Sequence, residues 1–264
     1  MRRTSILAVF VLLLNGLWAC QQESTAPVAA APEQAPEAKP APAAEPAPPA
    51  TPAPAAKKAP AAKKPAAKKA DDSEKDFVPL FDGKSLAGWQ GRTEDYEAVD
   101  GILVCKAGAH GSLYTDREYS DFVLRLEYRV GPAGNNGIGI RAAVSDKAPA
   151  TTGMEIQILD DNDPQYKDLK PMQFTGSIYG AVAAERGQTK PAGEWNAMEI
   201  RAKGPNIRVK LNGKQILKAD MDKVGPKQIH NLDLTGLHNK TGYIAICGHT
   251  DRVEFRNIRI KELK

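Results

Sequence analysis

The side chains best suited to chemistry lie in a few short polar segments. Residues 154–160, MEIQILD, place Met154, Ile156 and Ile158 on one face of an extended chain and Glu155 and Gln157 on the other. A carboxylate and an amide two residues apart on one face can hold the vicinal hydroxyls of a sugar, and the carboxylate can also move a proton. A solvated strand face would show the same alternation. Residues 135–141, NNGIGIR, set Asn135, Asn136, Gly137 and Gly139 ahead of Arg141. Strict alternation puts both glycines on the side of Arg141, a bare strip beside a guanidinium where a flat polar ligand could approach the backbone. A turn followed by a strand with a surface Arg fits equally well.

The acidic turn Asp160-Asp161-Asn162-Asp163 could ligate a divalent cation, but it lacks the glycine and distal glutamate of an EF-hand loop. No motif specifies a metal or any other cofactor. Tyr179 in TGSIYG offers an aromatic face for a sugar ring, whereas Trp195 opens a strand and reads as core. His249, between Gly248 and Thr250, and His110, in the Gly-rich loop 107–111, are expected to occupy accessible positions from which an imidazole could exchange a proton. His230 and His238 have no constellation around them. Serine-nucleophile elbows, HExxH, phosphate-binding glycine loops and CxxC pairs are absent from the sequence.

These residues need strands to position them. From Phe77 onward, short alternating apolar runs are separated by Gly, Pro, Asn and Asp, the pattern of antiparallel β structure. The clearest run is 121–130, with Phe122, Leu124, Leu126, Tyr128 and Val130 on one side and Arg125, Glu127 and Arg129 on the other. Further strands are predicted at about 96–99, 102–106, 137–142, 154–159, 195–203, 206–211, 214–217, 242–247 and 251–261, with Asn212-Gly213 turning a hairpin. In the last strand Val253 and Phe255 share one parity and Ile258 and Ile260 the other, which requires a bulge near Asn257. The best helical stretch, 220–224, is only a turn. This many strands in under 200 residues predicts an all-β fold, a jelly-roll or lectin-like sandwich of two antiparallel sheets.

Residues 1–75 read differently. Arg2 and Arg3 precede the apolar run 6–14, which has the length of a signal-peptide core and ends in Leu17-Trp18-Ala19-Cys20. This resembles a bacterial lipobox, although Trp18 is bulkier than usual; it predicts a signal peptide over 1–19 and lipidation at Cys20. An ordinary signal peptide with a coincidental Cys is the alternative. Gln21 is not acidic, so the expected location is the outer membrane, facing the periplasm, with membrane contact through the lipid alone. Twelve of the 20 prolines fall between residues 21 and 70, amid Ala and Lys, so 20–75 is expected to be a disordered, semi-stiff linker. Of 36 Lys/Arg and 32 Asp/Glu, residues 71–264 hold 27 and 28, so the folded part is near neutral and nucleic acid is not an expected partner. Cys105 and Cys247 lie in apolar contexts, where either a disulfide or two buried thiols is possible.

In order and spacing, the segments FVPLFDGKSLAGWQ (77–90), YEAVDGILV (96–104), YSDFVLRLEYRV (119–130), NNGIGIR, MEIQILDD, TGSIYG, KPAGEWN (190–196), KLNGK (210–214) and GHTDRVEFRNIRI (248–260) resemble the family of domains of unknown function 1080, now described as 3-keto-disaccharide hydrolase domains. The resemblance implies a concanavalin-lectin-like jelly roll over residues 76–264. It also implies cleavage of glycosides already oxidised at C3, by proton removal at C2, elimination of the C1 substituent and hydration. A ketone at C3 acidifies the C2 proton, so such chemistry needs one base and a group to stabilise developing charge rather than the carboxylate pair of an ordinary glycosidase. On this resemblance Glu155 is the first candidate for the base and His249 the second. Asn136, Arg141, Gln157, Asp160 and Tyr179 are the candidate substrate-binding residues, and a non-catalytic carbohydrate-binding module on a lipid-anchored stalk is the alternative. The run Asn135-Asn136-Gly137-Ile138-Gly139 departs from the family's usual Asn-Ser-Gly followed by bulky apolar residues, which puts substrate preference in doubt.

Overall fold

The computed structural model describes residues 74–225 and 233–264; the expected signal peptide, Cys20, nearly all of the expected linker and His230 lie outside them. Among the described residues, thirteen strands form two antiparallel sheets. The larger contains β3 (Tyr96–Val99), β4 (Ile102–Cys105), β6 (Phe122–Val130), β9 (Asn196–Lys203), β10 (Asn206–Leu211), β11 (Lys214–Asp220) and β13 (Val253–Glu262), in the order β11-β10-β9-β6-β13-β4-β3, with β1 (Val78–Pro79) also paired to β13. The smaller runs β2-β5-β12-β7-β8, from β2 (Trp89–Gly91), β5 (Leu113–Thr115), β12 (Tyr243–Ile246), β7 (Asn135–Ala142) and β8 (Met154–Leu159). Neighbours far apart in sequence, such as β6 beside β13, are the crossovers of a jelly roll.

Alternation explains how the sheets meet. Phe122, Leu124, Leu126, Tyr128 and Val130 are all buried, and they join Ile138, Ile140, Met154, Ile156 and Ile158 of the smaller sheet in one core. Each large apolar side chain taken from water contributes roughly 1.5–3 kcal/mol, which is why one parity of every strand must stay apolar. The Asn212-Gly213 turn has φ of 50° and 89°, as a tight hairpin demands. The pairing of β13 with β6 slips between Arg256 and Arg259, and Asn257 has φ 54°, so a bulge reconciles the two parities as expected.

The three shortest strands, β1, β2 and β5, escape the sequence pattern because two or three residues cannot display a period. The stretch 220–224 is a single 3-10 turn, Met221–Lys223. Cys105 and Cys247 are both buried free thiols. Trp195, expected in the core, is instead half-buried on the outward side of the larger sheet, with the guanidinium groups of Arg256 and Arg129 at 4.1 and 4.8 Å from its ring centre. The cause is parity. The next residue, Asn196, turns inward and is buried, so Trp195 must turn outward.

Candidate active site

The outward side of the smaller sheet carries the polar residues of β7 and β8. Strand β8 is the last of its sheet, and its free edge is covered by the segment around Ile178. There Gly176 N–H donates to the Gln157 carbonyl (2.8 Å), Gln157 N–H to the Ser177 carbonyl (3.0 Å) and Tyr179 N–H to the Glu155 carbonyl (2.8 Å). This added strip, with a short helix α1 (Pro149–Thr152) and the loop through Tyr166, encloses Glu155 and Gln157, which are both only 4% exposed despite facing away from the core. The resulting cavity is about 300 Å³ and is lined by Glu155, Gln157, Tyr166, Gln173, Tyr179 and His249, among others.

Its polar groups are held in place. Gln157 donates Nε2 to Asn135 Oδ1 (3.1 Å), and Gln173 donates Nε2 to the Tyr179 hydroxyl (3.1 Å) while accepting from Lys170 N–H at 3.0 Å. The Tyr166 hydroxyl donates to the Ala133 carbonyl at 2.6 Å. At one end of the cavity His249 Nε2 stands 3.4 Å from Glu155 Oε1. Burial disfavours the imidazolium, but the hydrogen bond and charge of Glu155 and the charge of Asp251 outweigh it and hold His249 above its ordinary value. Beneath the carboxylate lies the Cys247 thiol. Burial, together with the adjacent Glu155 charge, pushes this thiol well above its ordinary value, so it remains a protonated donor to Glu155.

The glycines of β7 have a different use from the one alternation suggested. A Cβ at Gly137 would meet Glu155 Oε1 at 2.1 Å, and one at Gly139 would meet Pro149 Cβ at 2.7 Å and Ala245 Cβ at 2.9 Å. The strip is therefore occupied. Glu155 lies across Gly137, and Pro149 seats α1 on Gly139. What looked like bare floor for a ligand is space taken by the base candidate and by the wall of the cavity.

Glu155, Gln157, Tyr179 and His249 are brought together, whereas Asn136, Arg141 and Asp160 are not. Asn136 shares the inward parity of Ile138 and is fully buried, in contact with Cys105 and with its Oδ1 accepting from Gly137 N–H. Arg141 has φ 51°, and Tyr243 pairs with Ala142 while Ala245 pairs with Gly139, so a bulge at Ile140-Arg141 carries Arg141 off the outward side. Its buried guanidinium donates to the carbonyls of Ser120, Gly204 and Asn239 and to Asp121 Oδ1, ending at a separate surface. Asp160 serves its own turn, where Oδ2 accepts from Ala133 N–H. Asp161 and Asp163 likewise accept from Thr175 and Gln165 N–H groups, so the acidic turn is consumed by backbone bonding. Among the described residues no group of three His, Cys, Asp or Glu side chains is placed to hold a metal ion.

Several cavity residues went unread in the sequence. Asn135 was within reach, because the alternation that sends Asn136 inward sends Asn135 outward. Tyr166 and Gln173 sit in 3-10 turns, Pro164–Tyr166 and Pro171–Gln173, of a long connection without periodicity. No pattern flags them.

The model of the 3-keto-alpha-glucoside-1,2-lyase-like domain matches residues 76–261. The chain belongs to this family. A 3-keto-disaccharide hydrolase of Bacteroides thetaiotaomicron is 28% identical over 228 residues, covering 71% of this chain and 78% of the relative. A crystal structure from Parabacteroides distasonis, assigned to the glycosyl hydrolases, superposes with a TM-score of 0.63 at 31% identity, covering 71% of this chain and 99% of that one. A second structure from the same organism superposes at 0.62 with 24% identity, covering 75% and 98%, and supports the shared fold. The two-sheet sandwich of this 3-keto-alpha-glucoside-1,2-lyase-like domain is the fold shared with these solved structures.

Proposed function

We propose that this protein cleaves 3-keto-glycosides by elimination and hydration, with Glu155 as base and His249 as acid. The observation that carries the reading is the 3.4 Å Glu155–His249 pair at the end of a one-ring cavity lined by amides and phenols. The C3 ketone makes the C2 proton removable, and Glu155 takes it as the enolate forms. The enolate then expels the C1 oxygen, which receives a proton from His249 as the C1–O bond breaks. Water adds at C1, the C2 proton is restored, and the product is the free 3-keto sugar. C1 and C2 are bonded neighbours, so an acid and a base within hydrogen-bond reach of one another suit this chemistry. Gln157, with Asn135 behind it, and Tyr179, with Gln173 behind it, hold the ring hydroxyls and the ketone.

The family and the hydrolase relative support the reaction class. The test is Glu155→Gln, nearly the same shape without the base. Release of 3-keto sugar from a 3-keto-disaccharide, followed by mass spectrometry, should fall at least about 100-fold with the thermal midpoint within a few degrees of wild type. Undiminished turnover in a folded Glu155→Gln protein refutes the assignment of the base. Saturable binding without turnover by the wild type would instead mark a carbohydrate-binding module.

A further inference from the structure

The cavity has a neighbour. His249 and Ala148 also line a second space of about 500 Å³, so the two adjoin at the imidazole. Glu155, Gln157 and Tyr179 face only the smaller space, whereas Arg92, His110, Ser145 and Lys147 face only the larger. The loop between β7 and α1 walls the larger space. It is anchored where the Tyr114 hydroxyl donates to the Ser145 carbonyl (3.1 Å) and Lys147 N–H donates to Ser145 Oγ (3.0 Å). On the opposite side the stem of Arg92 lies over Gly111, where a Cβ would meet Arg92 Cγ at 2.1 Å. Among the described residues no Phe, Tyr or Trp ring lines this second space. Its walls present the cations of Arg92 and Lys147, the Asp146 carboxylate and serine hydroxyls, with Arg92 Nε also 3.0 Å from Glu94 Oε1.

We infer that the larger space is the leaving-group subsite, that it takes a second sugar ring, and that Arg92 and Lys147 are specificity-determining residues for that ring. The inference rests on the elimination chemistry proposed above and goes beyond it by orienting the substrate. The base reaches only the smaller space, so the ring that carries the ketone and the C2 proton lies there. The departing oxygen, on the adjacent carbon, must meet the acid, and His249 stands where the two spaces adjoin. The expelled ring therefore extends towards Arg92 and Lys147, whose charged donors match hydroxyl acceptors and whose surroundings offer no Phe, Tyr or Trp face for a flat aromatic leaving group. This also gives a place to the Gly-rich loop of His110, which the proton transfers do not use.

The test is the double variant Arg92→Ala/Lys147→Ala in the full chain; both side chains are exposed, so folding should be unaffected. kcat/KM is measured for a 3-keto-disaccharide and for methyl 3-keto-glucoside, whose leaving group is too small to need a subsite. The preference for the disaccharide should shrink about tenfold or more, the loss expected from one charge-assisted hydrogen bond. A change below about threefold overturns the inference. Equilibrium binding of the unoxidised disaccharide and of methyl glucoside provides a second reading that needs no turnover. If the wild type cleaves neither keto substrate, the elimination reading fails. The subsite then stands if the double variant loses disaccharide affinity selectively by a similar factor, and falls if it does not.

Discussion

Gly137→Ala separates what the strip on β7 does from what alternation alone suggested. The backbone at Gly137 is outside the left-handed region, so alanine is conformationally acceptable there. The obstacle is Glu155. The new Cβ would stand 2.1 Å from Oε1, 2.6 Å from Cγ and 2.7 Å from Cδ, against the 3.0 Å below which such contacts essentially never occur. The carboxyl end must therefore move by about 0.9 Å or more, or change rotamer, and in moving it leaves His249 and Cys247. Misplacing a catalytic group by about 1 Å can cost about 100-fold, equivalent to about 2.7 kcal/mol of transition-state stabilisation.

The fold should suffer less, because the clash is with one side chain rather than with backbone. Overpacking of this kind costs about 1–3 kcal/mol, which for a domain of this size lowers Tm by roughly 2–12 °C. The assay is steady-state kinetics on a 3-keto-glycoside alongside thermal unfolding. The expected result is a kcat reduced about 100-fold with KM changed less than about threefold, in a protein that still unfolds cooperatively. A raised KM with kcat intact would show that the strip contacts substrate directly and that Glu155 does not need Gly137. Full activity in the folded variant would remove Glu155 from the reaction.

Three other outcomes follow from the structure. Because Glu155 and Asp251 hold His249 above its ordinary value, its charged form persists to higher pH than a free imidazole; kcat/KM should decline as pH rises through that elevated value, and His249→Gln should lose this alkaline limb. The sign for stability is the same: the contribution of charged His249 is complete below the unfolded-state value near 6.5 and is lost as pH rises through the folded value, which stability curves at pH 6 and 9 would reveal. Arg141→Met should act on folding alone, stripping donors from the carbonyls of Ser120, Gly204 and Asn239 at a cost of about 3–5 kcal/mol while leaving kcat per folded molecule unchanged; a selective loss of substrate affinity at unchanged Tm would contradict this.

The sandwich was legible because parity is a long-range signal: nine alternating residues in β6 leave little freedom about which side is core. The site was legible only where that signal continued unbroken. In β13 the slip at Asn257 could be read, since apolar residues on both sides of it change parity. In β7 the same kind of slip falls at Ile140-Arg141, one residue before the strand ends, and too little sequence remains to reveal it. Arg141 was thus assigned to the wrong side by a rule that held for every residue before it. Asn136 and Trp195 are the converse case, because parity places both correctly and was overridden, for Asn136 by the chemistry of its amide and for Trp195 by the default that a lone aromatic packs in the core. Tyr166 and Gln173 belong to neither case. They reach the cavity from 3-10 turns of the long connection that follows β8, and no local period encodes that contact. The same holds for the glycines: sequence could mark Gly137 as a missing side chain, but the register pairs it with Gln157, and only the packing shows that Glu155, paired with Gly139, leans diagonally across Gly137. An absence in one strand positions a carboxylate in the next, so the chemistry of this site resides in the pairing of β7 with β8 rather than in either segment alone.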